Sequence, residues 1–159
     1  MRSIAKTALF ALAALAISAA SPAFAADTKS IVISSPDVID GQTFEDESGR
    51  VYRLYAVRAP GLDAECENSD GEVYACGERA RAVLEDYANG MLSCFIGENA
   101  SDGVPTVRCT DFANRDLGSR LVRAGWALPD RTVSQAYVFD ELEAEARRSG
   151  MWDGRFTFR

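Results

Sequence analysis

Any chemistry done by this chain rests on acids, arginines and cysteines. Its 159 residues hold 24 Asp and Glu, 17 Lys and Arg, four cysteines and no histidine. Without imidazole there is no Ser-His-Asp triad, no histidine-based nuclease and no ordinary zinc site. Acids crowd two short stretches: Asp46 and Glu47 in "FEDESGR", and Asp63 and Glu65 in "GLDAEC". Arg53 and Arg58 stand five apart in "VYRLYAVRAP", which puts them on opposite faces of a regular strand. A bulge would bring them together as a small anion site. Otherwise Arg53 pairs with Asp40 or Glu45 and simply holds the fold, since an unpaired buried arginine is costly.

The cysteines, Cys66, Cys76, Cys94 and Cys109, contain no Cys-x-x-Cys and no zinc spacing. That argues against a redox pair or a metal site and for two structural disulfides. Three pairings are possible. Sequence neighbours are favoured: Cys66–Cys76 would staple "CENSDGEVYAC", and Cys94–Cys109 would tie "MLSCFI" to "TVRC". The compartment agrees. "MRSIAKTALFALAALAISAASPAFA" has a basic start, a short apolar run and an Ala-Phe-Ala ending. This is the pattern of an export signal over residues 1–25, cleaved after Ala25, and its apolar run is too short to span a membrane. No other segment comes close to spanning, so a soluble chain in the periplasm or outside the cell is expected.

Removing that leader leaves 15 basic residues against 24 acids, a formal charge of −9. Phosphate neutralisation supplies most nonspecific nucleic-acid affinity, so this balance disfavours such binding. The 134 residues that remain suit a single core. Residues 26–36 read as a short linker and first strand, and residues 37–159 as one domain.

The elements follow from periodicity. Strands are expected near Ile31–Ser34 and from Val38 towards Phe44. "EDESGR" is a hairpin turn with Gly49 free to take positive φ. "VYRLYAVRAP" alternates as one strand ended by Pro60. Ala80, Val83, Leu84 and Tyr87 recur at helical spacing before the stop at Asn89-Gly90. "MLSCFIGE" and "PTVRCTDF" are two more strands. Helices are expected over about 115–124 and from about Ser134 to Gly150, the last burying Tyr137, Val138, Leu142 and Ala146. The fold class is α+β, a small domain on a curled antiparallel sheet.

The phrases "DGQTF", "YRLYAVRAPG", "YACGERARAVLEDY", "VRC", "DLGSRLVRAGWAL" and "YVFDELEAEARRSGMWDGRF", in this order, resemble the thermonuclease (staphylococcal nuclease-like) family. The resemblance runs from about Asp37 to Phe156. It implies a five-stranded antiparallel OB barrel with about three helices. It also implies calcium-dependent hydrolysis of DNA or RNA phosphodiesters, with carboxylates holding the ion and two arginines clamping the phosphate.

Carried over position by position, little of that site survives. The aspartate of the family's D-G-D-T, a calcium ligand, is Gln42 here. The clamp arginine of the next strand is kept as Arg53. A second calcium ligand falls on Arg58, where a cation replaces an anion; two like charges ~4 Å apart repel by roughly 4 kcal/mol at intermediate dielectric. The carbonyl ligand falls on Ala59, which still has one. The acid that handles the attacking water falls on Gly61, and the second clamp arginine on Pro105, with Arg108 three residues on as a stand-in.

The expectation is therefore a binding or scaffolding module without calcium or any other cofactor. Such a module would be a monomer, with an envelope protein or an anionic ligand as partner. Two alternatives stand beside it. One is a nuclease rebuilt around Asp63 or Glu65, which would need calcium. The other is an envelope protein-interaction domain that uses the acidic surface. Phe112, Trp126, Trp152, Phe156 and Phe158 are the aromatics available for base stacking, but Trp126 and Trp152 read as core.

Overall fold

The structure, a computed structural model, describes residues 29–157. The expected leader, residues 1–25, and Phe158 and Arg159 at the end lie outside them. "SIVIS" forms β1 (Ser30–Ser34), with Ile33 buried and Val32 turned outward, the alternation of a half-buried strand. The chain continues through β2 (Asp37–Val38), β3 (Thr43–Glu45) and β4 (Val51–Leu54), then β5 (Val57–Arg58), β6 (Glu65–Glu67) and β7 (Val73–Ala75). Helix α1 (Cys76–Ala88) leads to the paired strands β8 (Met91–Asn99) and β9 (Pro105–Thr110). Helix α2 (Leu117–Arg123), β10 (Leu128–Pro129), α3 (Val138–Arg147) and a 3-10 turn (Gly150–Asp153) complete the order.

Six strands make one sheet in the order β1-β8-β9-β4-β3-β2, curled into a half-barrel around the core. Two ribbons, β5–β10 and β6–β7, stand apart from it. The sheet is not wholly antiparallel: β4 and β9 run parallel, Arg53 opposite Thr106 and Leu54 opposite Val107. Phe44, Leu84, Leu92, Val107, Leu117 and Leu121 are fully buried between the curled sheet and the helices. Each such side chain contributes roughly 1.5–3 kcal/mol. A smaller cluster of Cys66, Cys76 and Met151 lies under the β6–β7 ribbon, and Trp126 packs against both clusters.

Both favoured disulfides form. Cys94 and Cys109 face each other across β8 and β9 in the core, and Cys66 joins Cys76 at the start of α1. Closing the 15-residue separation of the core bridge contributes about 3 kcal/mol in the chain-entropy account.

Two local expectations are corrected. "VYRLYAVRAP" is not one strand. It turns at Tyr55 and Ala56, where Ala56 has φ 56°, and restarts as β5 against β10. Ala56 and Val57 are consequently both buried, and the two-residue alternation is lost. A left-handed alanine leaves no mark on a hydrophobicity pattern.

The last helix begins at Val138 and buries Asp140, Glu141 and Ala144 behind Tyr137. Leu142 and Ala146 are exposed and Val138 is half-buried. The acids take the inner face because each has an arginine: Asp140 accepts from Arg123 at 2.6 Å, and Glu141 pairs with Arg131. Such pairing offsets the desolvation that otherwise keeps acids at the surface. Among the described residues no helix is long and apolar enough to cross a membrane.

Candidate functional site

The loop from Ala59 to Glu65 joins β5 to β6 and walls a hollow of about 480 Å3, lined by Ala59, Pro60, Gly61, Asp63, Glu65 and, from the chain end, Thr157. Several contacts fix this loop. The Ala59 N–H donates to the Gln42 side-chain oxygen at 2.9 Å. The Ala64 N–H donates to Gly61 O at 2.9 Å, and the Gly77 N–H to Ala64 O at 3.2 Å. The Cys66–Cys76 bridge then ties the loop's end to α1.

Residue 77 has to be glycine for this packing. A Cβ there would lie 1.9 Å from Gly61 O and 2.5 Å from Leu62 O, so a larger residue would drive α1 away from the loop. The hollow therefore has a braced wall. Asp63 and Glu65 are both exposed, and neither carboxylate has a hydrogen-bond or ion-pair partner among the described residues.

The positions singled out in the sequence are thus only partly brought together. Ala59, Gly61, Asp63 and Glu65 share the hollow, while Arg53, Arg58 and Pro105 do not line it. Gln42 stands one hydrogen bond behind Ala59, and its backbone oxygen accepts from the Leu54 N–H at 2.8 Å.

Arg53 is paired, but not with Asp40 or Glu45. Its guanidinium meets Asp102 of the β8–β9 loop at 2.8 Å, while Asp40 accepts the Gln42 N–H at 2.8 Å. A hydrogen bond from the Val104 N–H, then the one from Arg53, hold the Asp102 carboxyl below its usual range. The Nε of Arg53 is buried without a partner among the described residues. Asp102 was absent from the sequence-based candidates because the contact joins strand β4 to a loop far along the chain.

Arg58, exposed on β5, lies within the field of a different acid. Hydrogen bonds from Thr132 and, more weakly, the charge of Arg58 lower the Asp130 pKa. Arg53 therefore meets Asp102, while the charge of Arg58 acts on Asp130. Arg108 is also committed. Its Nε–H donates to Asp116 at 2.6 Å, and its guanidinium sits 6.0 Å from the Tyr137 ring.

Asp46 caps the opposite turn, and neither it nor Glu47 lines the hollow. Asp46 accepts from the Ser48 hydroxyl at 2.6 Å, from the N–H groups of Ser48 and Arg50 and from the Tyr52 hydroxyl. The Ser48 hydroxyl leads in lowering its pKa from 3.8 to about 2, with the opposing effect of burial outweighed. Of the aromatics, Phe112 is 85 % exposed, Trp126 packs edge-on to Tyr74, and Trp152 packs edge-on to Phe156. Phe158 lies outside the described residues.

These groups do not fit a calcium ion at the positions the resemblance assigns. The Gln42 amide oxygen brings no charge and already accepts the Ala59 N–H, Arg58 places a cation where a carboxylate is required, and Gly61 offers no side chain. Among the described residues no three acid or cysteine side chains come together as a metal cluster. Among the described residues the hollow offers a ligand two carboxylates and backbone groups, and nothing cationic. No protein-family model matches the chain, and a search of curated proteins found no significant match.

Proposed function

We propose that the chain is an exported, disulfide-stapled domain of thermonuclease-like OB architecture that binds a partner instead of cutting phosphodiesters. The observation that carries this reading is the hydrogen bond from the Ala59 N–H to the Gln42 side chain. At a position where the related enzymes need a charged ligand, a neutral amide serves as an internal brace for the loop. Arg58, Gly61 and Pro105 at three further catalytic positions point the same way, and Arg53 is engaged with Asp102. The curled half-barrel sheet and three helices are compatible with the OB reading.

A second reading has one observation in its favour. Asp63 and Glu65 line the same hollow as Ala59 and Gly61, so a rebuilt nuclease would find its acids there. Hydrolysis of single-stranded DNA by the oxidised chain from residue 26 onwards separates the two. The assay is run with millimolar calcium, then with chelator, with Arg53→Ala as the contamination control. The binding-module reading expects no cleavage in any arm. Calcium-dependent cleavage that disappears in Arg53→Ala would establish the nuclease instead.

A further inference from the structure

We infer that the hollow beside Asp63 and Glu65 is one end of a longer docking groove for a basic peptide segment of a partner protein, one carrying an aromatic side chain next to arginine or lysine. This rests on the binding-module reading and names the chemistry of its partner.

A second hollow, about 630 Å3, continues from the first. Glu65 and Thr157 line both. Its apolar wall is Val73, Trp152, Phe156 and the Cys66 half of the disulfide. Val73 is 63 % exposed. The rings of Trp152 and Phe156 meet edge to face, with centroids 5.1 Å apart. The indole N–H of Trp152 is buried without an acceptor among the described residues, so only the ring, not this donor, is offered to the hollow.

Charge selects the occupant. Arg155 and Glu67 also line this hollow, but they are tied to each other by an ion pair and by a backbone bridge in both directions. Their charges cancel. At the other end Asp63 and Glu65 remain uncompensated, and among the described residues no Lys or Arg lines that hollow. A phosphate placed there meets two carboxylates, whereas a guanidinium or ammonium meets its complement. Nucleic acid would bring rings to the apolar wall but phosphates to the acidic end. A basic, aromatic peptide matches both ends. The groove is also preformed, because the disulfide, the Gly77 contact and the Glu67–Arg155 bridge fix its walls, which lowers the ordering cost of binding.

Calorimetric titration of the oxidised chain, residues 26–159, with a blocked hexapeptide of alternating arginine and phenylalanine tests the proposal. Saturable binding is expected, weakening about tenfold or more in the Asp63→Asn/Glu65→Gln double variant. Phe156→Ala should weaken it as well, while an analogue with glutamate in place of arginine and a single-stranded DNA oligomer should not bind. The double variant is decisive, because both side chains are exposed and neither makes a hydrogen bond or ion pair among the described residues. Unchanged affinity in that variant, or no saturable binding by the basic peptide, overturns the proposal. So does binding that appears only after Phe158 and Arg159 are deleted, which would assign the groove to the chain's own end. Absent peptide binding with no DNA cleavage defeats this inference alone, whereas calcium-dependent cleavage defeats the reading beneath it.

Discussion

The acids on the helical side of the molecule and those of the Ala59–Glu65 loop are the same residue types put to opposite uses. Beside α2 and α3, Asp111 is held by Arg115 and Arg120, Asp116 by Arg108, Asp140 by Arg123 and Glu141 by Arg131. Asp111, Asp140 and Glu141 are buried. Arg120 in turn stacks 3.6 Å above the Tyr87 ring. Across the molecule Asp63 and Glu65 are exposed and partnerless among the described residues. A buried carboxylate is tolerated only with a partner, so the first group reports how the helices are clamped. The second group is what remains for a ligand.

If that contrast is right, the largest stability loss comes from the clamped side. Asp111→Ala should cost about 3 kcal/mol in denaturant unfolding, because it strands Arg120 and the N–H groups of Ala113 and Arg115. A loss under 1 kcal/mol would mean the clamp is ornamental.

Gly77→Ala comes next, at about 2 kcal/mol, since its Cβ would overlap Gly61 O. It tests the brace of the open side and should weaken peptide binding together with stability.

A smaller effect is expected in acid. The Asp46 pKa is lowered on folding, so its contribution is complete above 3.8 and lost as pH falls towards about 2. Asp46→Asn should therefore flatten the decline of unfolding free energy between pH 4 and pH 2. An unchanged slope would show that the turn hydrogen bonds leave no net trace.

The smallest stability effect belongs to Asp63→Asn/Glu65→Gln, expected within about 0.5 kcal/mol of the parent protein while peptide binding falls. A large loss of stability there would erase the contrast between the two regions.

Much of the scaffold was legible in advance because its signals are local. Both disulfide pairings, α1 with its Asn89-Gly90 stop, the β8–β9 pair and the helix within about 115–124 follow from spacing and turn chemistry. The failures were non-local. The break at Ala56 is set by the Ala56 carbonyl accepting the Asp130 N–H at 2.8 Å, a contact between segments more than seventy residues apart. The burial of Asp140 and Glu141 depends on Arg123 and Arg131. Hydrophobic periodicity places acids outside, and only a partner from another element reverses that.

The candidate site divides along the same line. Composition alone removed imidazole chemistry, and the resemblance, carried to Gln42, Arg58 and Gly61, argued against a calcium site. Sequence also offered Asp63 and Glu65 as candidate acids. It had no means of showing that they share a hollow with Thr157, that Arg53 turns to Asp102, or that Trp152 and Phe156 extend the hollow into a groove. Residue type fixes what chemistry a side chain is capable of. Whether that capacity is spent inside the fold or left open is settled by which distant segments pack together, and only the tertiary structure decides that.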